Sequence, residues 1–223
     1  MSAQRTFNDR PDAGRRLAEV LLRARPAGDM VVLGLPRGGV PVAWEIARAL
    51  NATLDVFLVR KLGTPGHPEL AMGAIASGGT RVINDDVVNA LGIVPEQIEA
   101  VARHERSELE RRDAVYRQGR TLTPLTSRTV ILVDDGLATG STMKAAVQAV
   151  RQHAPARVIV AVPVGAPETC RALREIADEV ICAETPSSFS AVGQWYRDFS
   201  QTTDDEVIAL LKGQPEGRPL PTR

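Results

Sequence analysis

Residues 130–142, VILVDDGLATGST, constrain this chain more than any other stretch. Four apolar residues, Val130 to Val133, lead into two adjacent carboxylates, Asp134 and Asp135. A small-residue turn from Gly136 to Gly140 follows, then the hydroxyls of Ser141 and Thr142, then a helical pattern, MKAAVQAVRQH. A buried strand passing through an acidic turn into a helix start is an anion-binding arrangement. The first amides of a helix lack intrahelical partners and carry partial positive charge. Gly136 and Gly140 let the backbone curl around a phosphate without Cβ clashes. The two acids need a separate reason, because they repel a phosphate. A ligand with both a phosphate and neighbouring hydroxyls supplies one: vicinal ribose hydroxyls donate to Asp134 and Asp135 while a 5′-phosphate sits in the turn from Thr139 to Thr142. The plain alternative is a helix cap after a buried strand, with acids placed for the dipole.

DDGLATGST resembles the phosphoribosyl-pyrophosphate (PRPP) motif of the type I phosphoribosyltransferases. The resemblance implies that Asp134 and Asp135 hold the ribose 2′- and 3′-hydroxyls. Ala138, Thr139, Gly140, Ser141 and Thr142 then form the 5′-phosphate turn. It also implies the fold class: α/β, a type I phosphoribosyltransferase-like parallel sheet flanked by helices, with a small hood and an inserted flexible or helical arm.

A second strand–turn–helix unit lies upstream. Met30 to Leu35 reads as a buried strand running into PRGGVPVAWEIARAL. Arg37 adds a planar cationic fork suited to phosphate oxygens, and Gly38 and Gly39 permit close backbone approach. A tight turn needing two glycines is the alternative. Beside the first motif, the segment is similar to the family's pyrophosphate loop. That loop often contains a non-prolyl cis peptide, which places one at Pro36–Arg37.

Thr53 to Val59 reads as a further strand ending in Arg60-Lys61. Cations at the carboxyl end of a buried strand face the crevice where open α/β sheets bind ligands. By resemblance to the adenine and orotate enzymes, Lys61 contacts pyrophosphate; a snorkelling surface pair is the alternative. Residues 74–77 and 81–83 read as a hairpin around Gly78-Gly79, and Asn84 to Asp86 as the cap of a short helix.

Pro95 to Gly119 reads as a long charged helix with a thin apolar stripe of Ile98, Ala102, Leu109 and Tyr116. Such a helix is a solvent-facing arm or a mobile cover, not a central core element. Its Arg111, Arg112, Arg117 and the following Arg120 then reach a pyrophosphate on closure, or simply solvate a helix face. After the central motif, Arg157–Val162, Pro167–Ile176 and Glu179–Cys182 alternate strand, helix, strand, the pattern of a covered parallel sheet.

The C-terminal segment gathers Phe189, Trp195, Tyr196 and Phe199, half of the chain's eight aromatics. A packed cluster is one reading. A stacking platform for a planar base is the other, with Phe189 and Trp195 as its candidates. In the family, a variable hood over the strand ends selects the base, and this segment occupies part of that position.

The length of 223 residues fits one domain over 1–212, with the arm at 84–125 and the hood at 184–203. The Pro/Gly-rich tail, 213–223, is expected to be disordered. Lys+Arg and Asp+Glu balance at 27 each, which gives a nucleic-acid partner no electrostatic support. No apolar run reaches the roughly 18–20 residues a membrane span needs. MSAQRTFNDR lacks the apolar core of a signal peptide. Cys170 and Cys182 give neither a disulfide framework nor metal-ligand spacing, and read as thiols in a reducing cytoplasm.

The resemblance implies an enzyme that moves a phosphoribosyl group from PRPP to a nitrogenous base, with Mg²⁺ carried by the substrate and pyrophosphate released. It implies a homo-oligomer, a dimer. Where 6-oxopurine enzymes place an acid four residues after the first acid of the motif, this chain has Ala138, which argues against such an acceptor. The LATG string is similar to the adenine-specific members, though the hood is not. The RKLGTP and AVGQWY segments resemble predicted bacterial phosphoribosyltransferases. A PRPP-binding regulator on the same fold, without turnover, is the alternative.

Overall fold

The computed structural model describes residues 6–24 and 26–213. The chain opens with helix α1 (Arg10–Ala24), then strand β1 (Met30–Gly34), helix α2 (Gly39–Leu50) and strand β2 (Thr53–Val56). An antiparallel excursion follows: β3 (Val59–Thr64), β4 (His67–Ala76) and β5 (Thr80–Ile83). Two helices, α3 (Asp85–Leu91) and α4 (Pro95–Arg117), lead back to β6 (Thr129–Val133). Then come α5 (Ser141–Arg151), β7 (Arg157–Val164), α6 (Pro167–Leu173), β8 (Glu179–Glu184) and α7 (Asp204–Lys212). Gly213 ends α7. The tail expected to be disordered lies outside the described residues from 214 onward.

Five strands form a parallel sheet in the order β2-β1-β6-β7-β8. Its strands are near-continuous apolar runs because helices cover both faces. The two-residue period divides each run cleanly. Val32, Ile131 and Ile159 face the cluster that holds Leu17, Val42 and Ile46 of α1 and α2. Val31, Leu33, Val130, Leu132 and Val160 face the cluster that holds Val147 and Val150 of α5 and Leu173 of α6. The chain leaves β1 outward to β2, then returns to β1's other side at β6. That reversal puts a crevice at the carboxyl ends of β1 and β6, the place where open α/β sheets take ligands.

The run read as one strand over 53–59 is broken. β2 ends at Val56, and Val59 opens β3 of a separate three-stranded sheet, β3-β4-β5. Ser77 makes the break possible: its hydroxyl accepts the Leu58 N–H at 3.0 Å, and its own N–H donates to Leu58 O at 2.9 Å. The backbone groups that would have continued the parallel ladder are thereby satisfied. Lys61 sits inside β3, not in a loop after a core strand, and Arg60 is held by Glu105 of α4. His67 and Glu69 lie in β4.

α4 is tied down more firmly than its charge implies. Ala102, Leu109 and Tyr116 are buried in the α1/α2-side core. Arg117 is 2% exposed and pairs with Asp55 of β2 and Asp113 of its own helix, and donates to Val56 O. Asp55 also accepts the Thr123 N–H at 2.9 Å. Arg117 therefore joins α4 to the sheet edge and does not serve as a pyrophosphate contact. Arg111 and Arg112 are both bonded to Glu108 of the same helix.

Candidate active site

β1 and β6 run side by side with Gly34 level with Val133, so the two turns that follow them meet. Leu35 N–H donates to Val133 O at 2.8 Å, and Gly39 N–H closes back on Leu35 O at 3.0 Å. The peptide between Pro36 and Arg37 is cis, at the position expected. Gly38 and Gly39 then lie directly against the acids. A Cβ on Gly39 would fall 2.6 Å from Val133 O and 3.2 Å from Asp134 Oδ1. Only residues without side chains let the two turns interlock this closely.

Each acid has one oxygen engaged. Asp134 Oδ1 accepts the Asp135 N–H at 2.9 Å. Asp135 Oδ2 accepts from Nε of Arg10, on the first turn of α1, at 2.8 Å. Among the described residues no further side chain is bonded to either carboxylate, which leaves Asp134 Oδ2 and Asp135 Oδ1 without a side-chain partner. Burial, then the charge of Asp135, pushes the Asp134 carboxyl well above the ordinary carboxylate range. Burial raises Asp135 too, opposed by the Arg10 guanidinium. The Tyr196 hydroxyl donates to Asp135 O at 2.6 Å, fixing the backbone beneath the second acid.

The turn after the acids is braced from the next strand. Leu137 N–H donates to Val164 O, Ala166 N–H to Leu137 O, and the Thr169 hydroxyl to Ala138 O at 2.6 Å. Gly140, at φ +69°, precedes α5, and a Cβ there would lie 2.4 Å from Thr169 Cγ2. No side chain caps α5. Its first amides are thus open to an anion, and Thr139 and Ser141 place their hydroxyls 3.4 Å apart at the same end. Thr142 is exposed on the first turn.

Thr139 and Ser141 share a cleft of about 810 Å³ with Lys61, Lys144 and, on its acidic side, Asp85 and Asp86. Lys61 therefore lines the same cleft as the turn before α5, from the side of the antiparallel sheet. Lys144, one helical turn after Gly140, was not anticipated; its only signal was a place near the start of α5. Arg37 is about one-third exposed, and its nearest carboxylate is Asp204 of α7, at 3.9 Å.

The segment expected to form the hood packs against the residues that precede and open α1. Phe7 N–H donates to Trp195 O, Arg197 N–H to Phe7 O, and Asp198 N–H to Asn8 O. Phe7, Ala13, Val164, Trp195 and Tyr196 form a small core of their own, with Phe189 half-buried against it. Trp195 is 4% exposed. It packs into this small core, the first of the two readings given for the aromatic cluster. The N-terminal partner of this segment, with Arg10, escaped the sequence reading because nothing near residue 10 signals a partner at residue 135.

A sequence model of the phosphoribosyl transferase domain family matches residues 6–200. Proteins from two strains of Mycobacterium tuberculosis, whose given names suggest a phosphoribosyl transferase, are 52% identical over 205 residues, 92% of this chain. The chain spans about half the length of these curated relatives, 46%. The crystal structure of TT1426 from Thermus thermophilus aligns with a TM-score of 0.84 at 45% identity, covering 92% of this chain and 97% of that one.

Proposed function

Because this chain belongs to the phosphoribosyl transferase family, we propose that it transfers the 5-phosphoribosyl group of PRPP to a nitrogenous base and releases pyrophosphate. The observation that carries this reading is the meeting of three parts at the carboxyl ends of β1 and β6. These are two carboxylates with one oxygen each unspent, a glycine loop pressed against them, and an uncapped helix N-terminus one turn further on.

In this reading Asp134 and Asp135 accept the two ribose hydroxyls. The amides of residues 139–142 and the hydroxyls of Thr139 and Ser141 hold the 5′-phosphate. The sugar is thus fixed at both ends, and the reacting carbon is presented in one orientation, which lowers the barrier by positioning. As the bond to pyrophosphate lengthens, positive charge grows on the sugar and negative charge on the leaving group. Arg37, with the Gly38 and Gly39 amides, and Lys61 from across the cleft stabilise the latter. Among the described residues no group of three or more His, Cys, Asp or Glu side chains could hold a metal ion. Magnesium, which keeps much of its water and binds substrate phosphates, would then be carried by the substrate and would offset the charge of the leaving group beside Arg37 and Lys61.

The test is a panel of purine, pyrimidine and other nitrogenous bases with PRPP and Mg²⁺, scored by pyrophosphate release and product mass. Base-dependent release is expected. PRPP binding with no turnover on any base would turn the reading to a regulator, and no PRPP binding would end it.

A further inference from the structure

Arg10 lies 125 positions before the acid it touches, and no part of the transfer reaction as derived above uses it. Its surroundings are nonetheless closely built. Nε donates to Asp135 Oδ2 at 2.8 Å, and Nη1 donates to Ser200 O at 2.6 Å. The guanidinium carbon lies 4.1 Å from the centre of the Phe199 ring. Phe199 packs on Tyr196 with ring centres 5.0 Å apart, and Tyr196 returns to Asp135 through its hydroxyl. The side chains of the Arg10–Asp135 pair are 11% and 16% exposed. Among the described residues, Arg10 is the cation in contact with the acidic pair.

Two adjacent carboxylates held away from water repel each other and favour taking up a proton. A protonated Asp135 could not accept from a sugar hydroxyl as strongly as a charged one, because hydrogen bonds to an ionised acceptor are about twice as strong as neutral ones. A free Asp135 side chain would also rotate. A flat guanidinium held at three points, by a carbonyl, a ring face and the acid, opposes both. Lysine cannot match this, since its ammonium is a point charge on a flexible stem.

We propose that Arg10 is a positioning residue for the sugar site. It favours the charged form of Asp135 and holds the side chain turned so that Oδ1 meets a ribose hydroxyl, and it couples that acid to the hood through Ser200 and Phe199. This rests on the PRPP reading given above. Arg10 acts through Asp135 and touches no reacting atom, so its loss acts on PRPP affinity more than on the rate at saturation.

The experiment measures PRPP binding with Mg²⁺ by calorimetry, with KM and kcat where a base is turned over, for the wild type, Arg10→Gln, Arg10→Lys and Arg10→Ala. Thermal unfolding is recorded for each. Arg10→Gln is expected to weaken PRPP binding by about 10- to 100-fold, as the loss of a partner that orients a metal-ligating side chain weakens metal binding, with a smaller change in kcat. Arg10→Lys restores part of the loss. Arg10 also lines a cleft of about 500 Å³ with Trp44 and Ser200, which admits a small cation. Guanidinium ion at millimolar concentration is therefore expected to strengthen PRPP binding by Arg10→Ala and leave the wild type unchanged. Should Arg10→Ala not fold, the Gln and Lys variants carry the test. The proposal is overturned if Arg10→Gln binds PRPP as the wild type does, if Lys is no better than Gln, or if guanidinium leaves a folded Arg10→Ala unimproved. A folded wild type that binds no PRPP overturns the reading beneath it as well, which distinguishes the two failures.

Discussion

A Cβ atom built on Gly38 would lie 2.0 Å from Oδ2 of Asp135 and 3.0 Å from Nε of Arg10. The loop after β1 thus reaches the acid after β6 with no room for a methyl group. Gly38 itself has ordinary right-handed dihedrals, φ −61° and ψ −31°. Alanine at such a position would normally stabilise by about 0.4–1 kcal/mol through the unfolded state. Here the collision is with a carboxylate pinned by Arg10, and overpacking of about 1–3 kcal/mol outweighs that gain. Gly38→Ala is expected to melt lower than the wild type and to bind PRPP at least about tenfold more weakly, since the acid it displaces is the one assigned to the ribose. Calorimetric titration with PRPP and a melting curve read the two effects. A variant that melts higher and binds as well would show that the interlock is loose.

Asp134 supplies a prediction with a definite pH direction. Its carboxyl is held well above the ordinary range by burial and by the neighbouring charge of Asp135. A raised folded pKa means that the native state binds more protons than the unfolded one between the two values. Stability therefore falls as pH rises from the ordinary carboxylate value, about 3.9, to the raised one, and the full cost is present above it. Asp134→Asn keeps an oxygen to accept the Asp135 N–H and removes the titration. It should melt at or above the wild-type temperature at pH 8, with the advantage shrinking as pH is lowered through the raised pKa, while PRPP affinity drops. Melting curves from pH 4 to pH 8 decide it; a variant less stable than the wild type at pH 8 contradicts the burial cost.

The sheet and its helices were legible because the evidence for them is local. Four apolar residues before Asp134, or three after Met30, commit a strand buried on both faces whatever lies elsewhere. The acids and the glycine loop stood out because their spacing within one turn is that of an anion-binding turn, whereas the cis bond at Pro36–Arg37 was implied by the resemblance to the family's loop. The break after Val56 was not, since it depends on Ser77 offering a hydroxyl and an amide to Leu58 from another segment. Arg10 and Tyr196 were hidden for the same reason: each meets Asp135 only once the fold is complete. Arg117 looked like surface charge because its helix is rich in exposed arginines, and its burial is made tolerable by Asp55 and the Val56 carbonyl arriving from β2 beside Asp113 of its own helix.

That burial yields a further prediction. Arg117 is surrounded by Asp55, Asp113 and the Val56 carbonyl, with Asp55 also bound to the Thr123 amide. Removing one partner of a buried ion pair leaves an uncompensated charge and costs about 3–5 kcal/mol. Arg117→Met should lose about that much by urea unfolding and leave the fold around the phosphate turn intact. Adding Asp55→Asn should cost less than in the wild-type background, because the stranded charge is then gone; the double-mutant cycle measures the coupling. Additive losses would mean the two residues do not depend on each other.

Trp195 allows the two accounts of the hood to be separated. Its ring is buried among Phe7, Ala13, Val164 and Tyr196, and its indole N–H makes no hydrogen bond among the described residues. Phenylalanine therefore gives up volume but no polar contact, whereas alanine leaves a cavity costing about 3–5 kcal/mol. Trp195→Ala is expected to lower the melting temperature strongly, and Trp195→Phe only mildly. If the ring only packs, Trp195→Phe leaves the KM values of both PRPP and the acceptor within about twofold, because uniform binding is untouched. A base-stacking ring would instead raise the acceptor KM in Trp195→Phe and spare that of PRPP. Steady-state kinetics on the Phe variant, with a base found by the panel, discriminates between them.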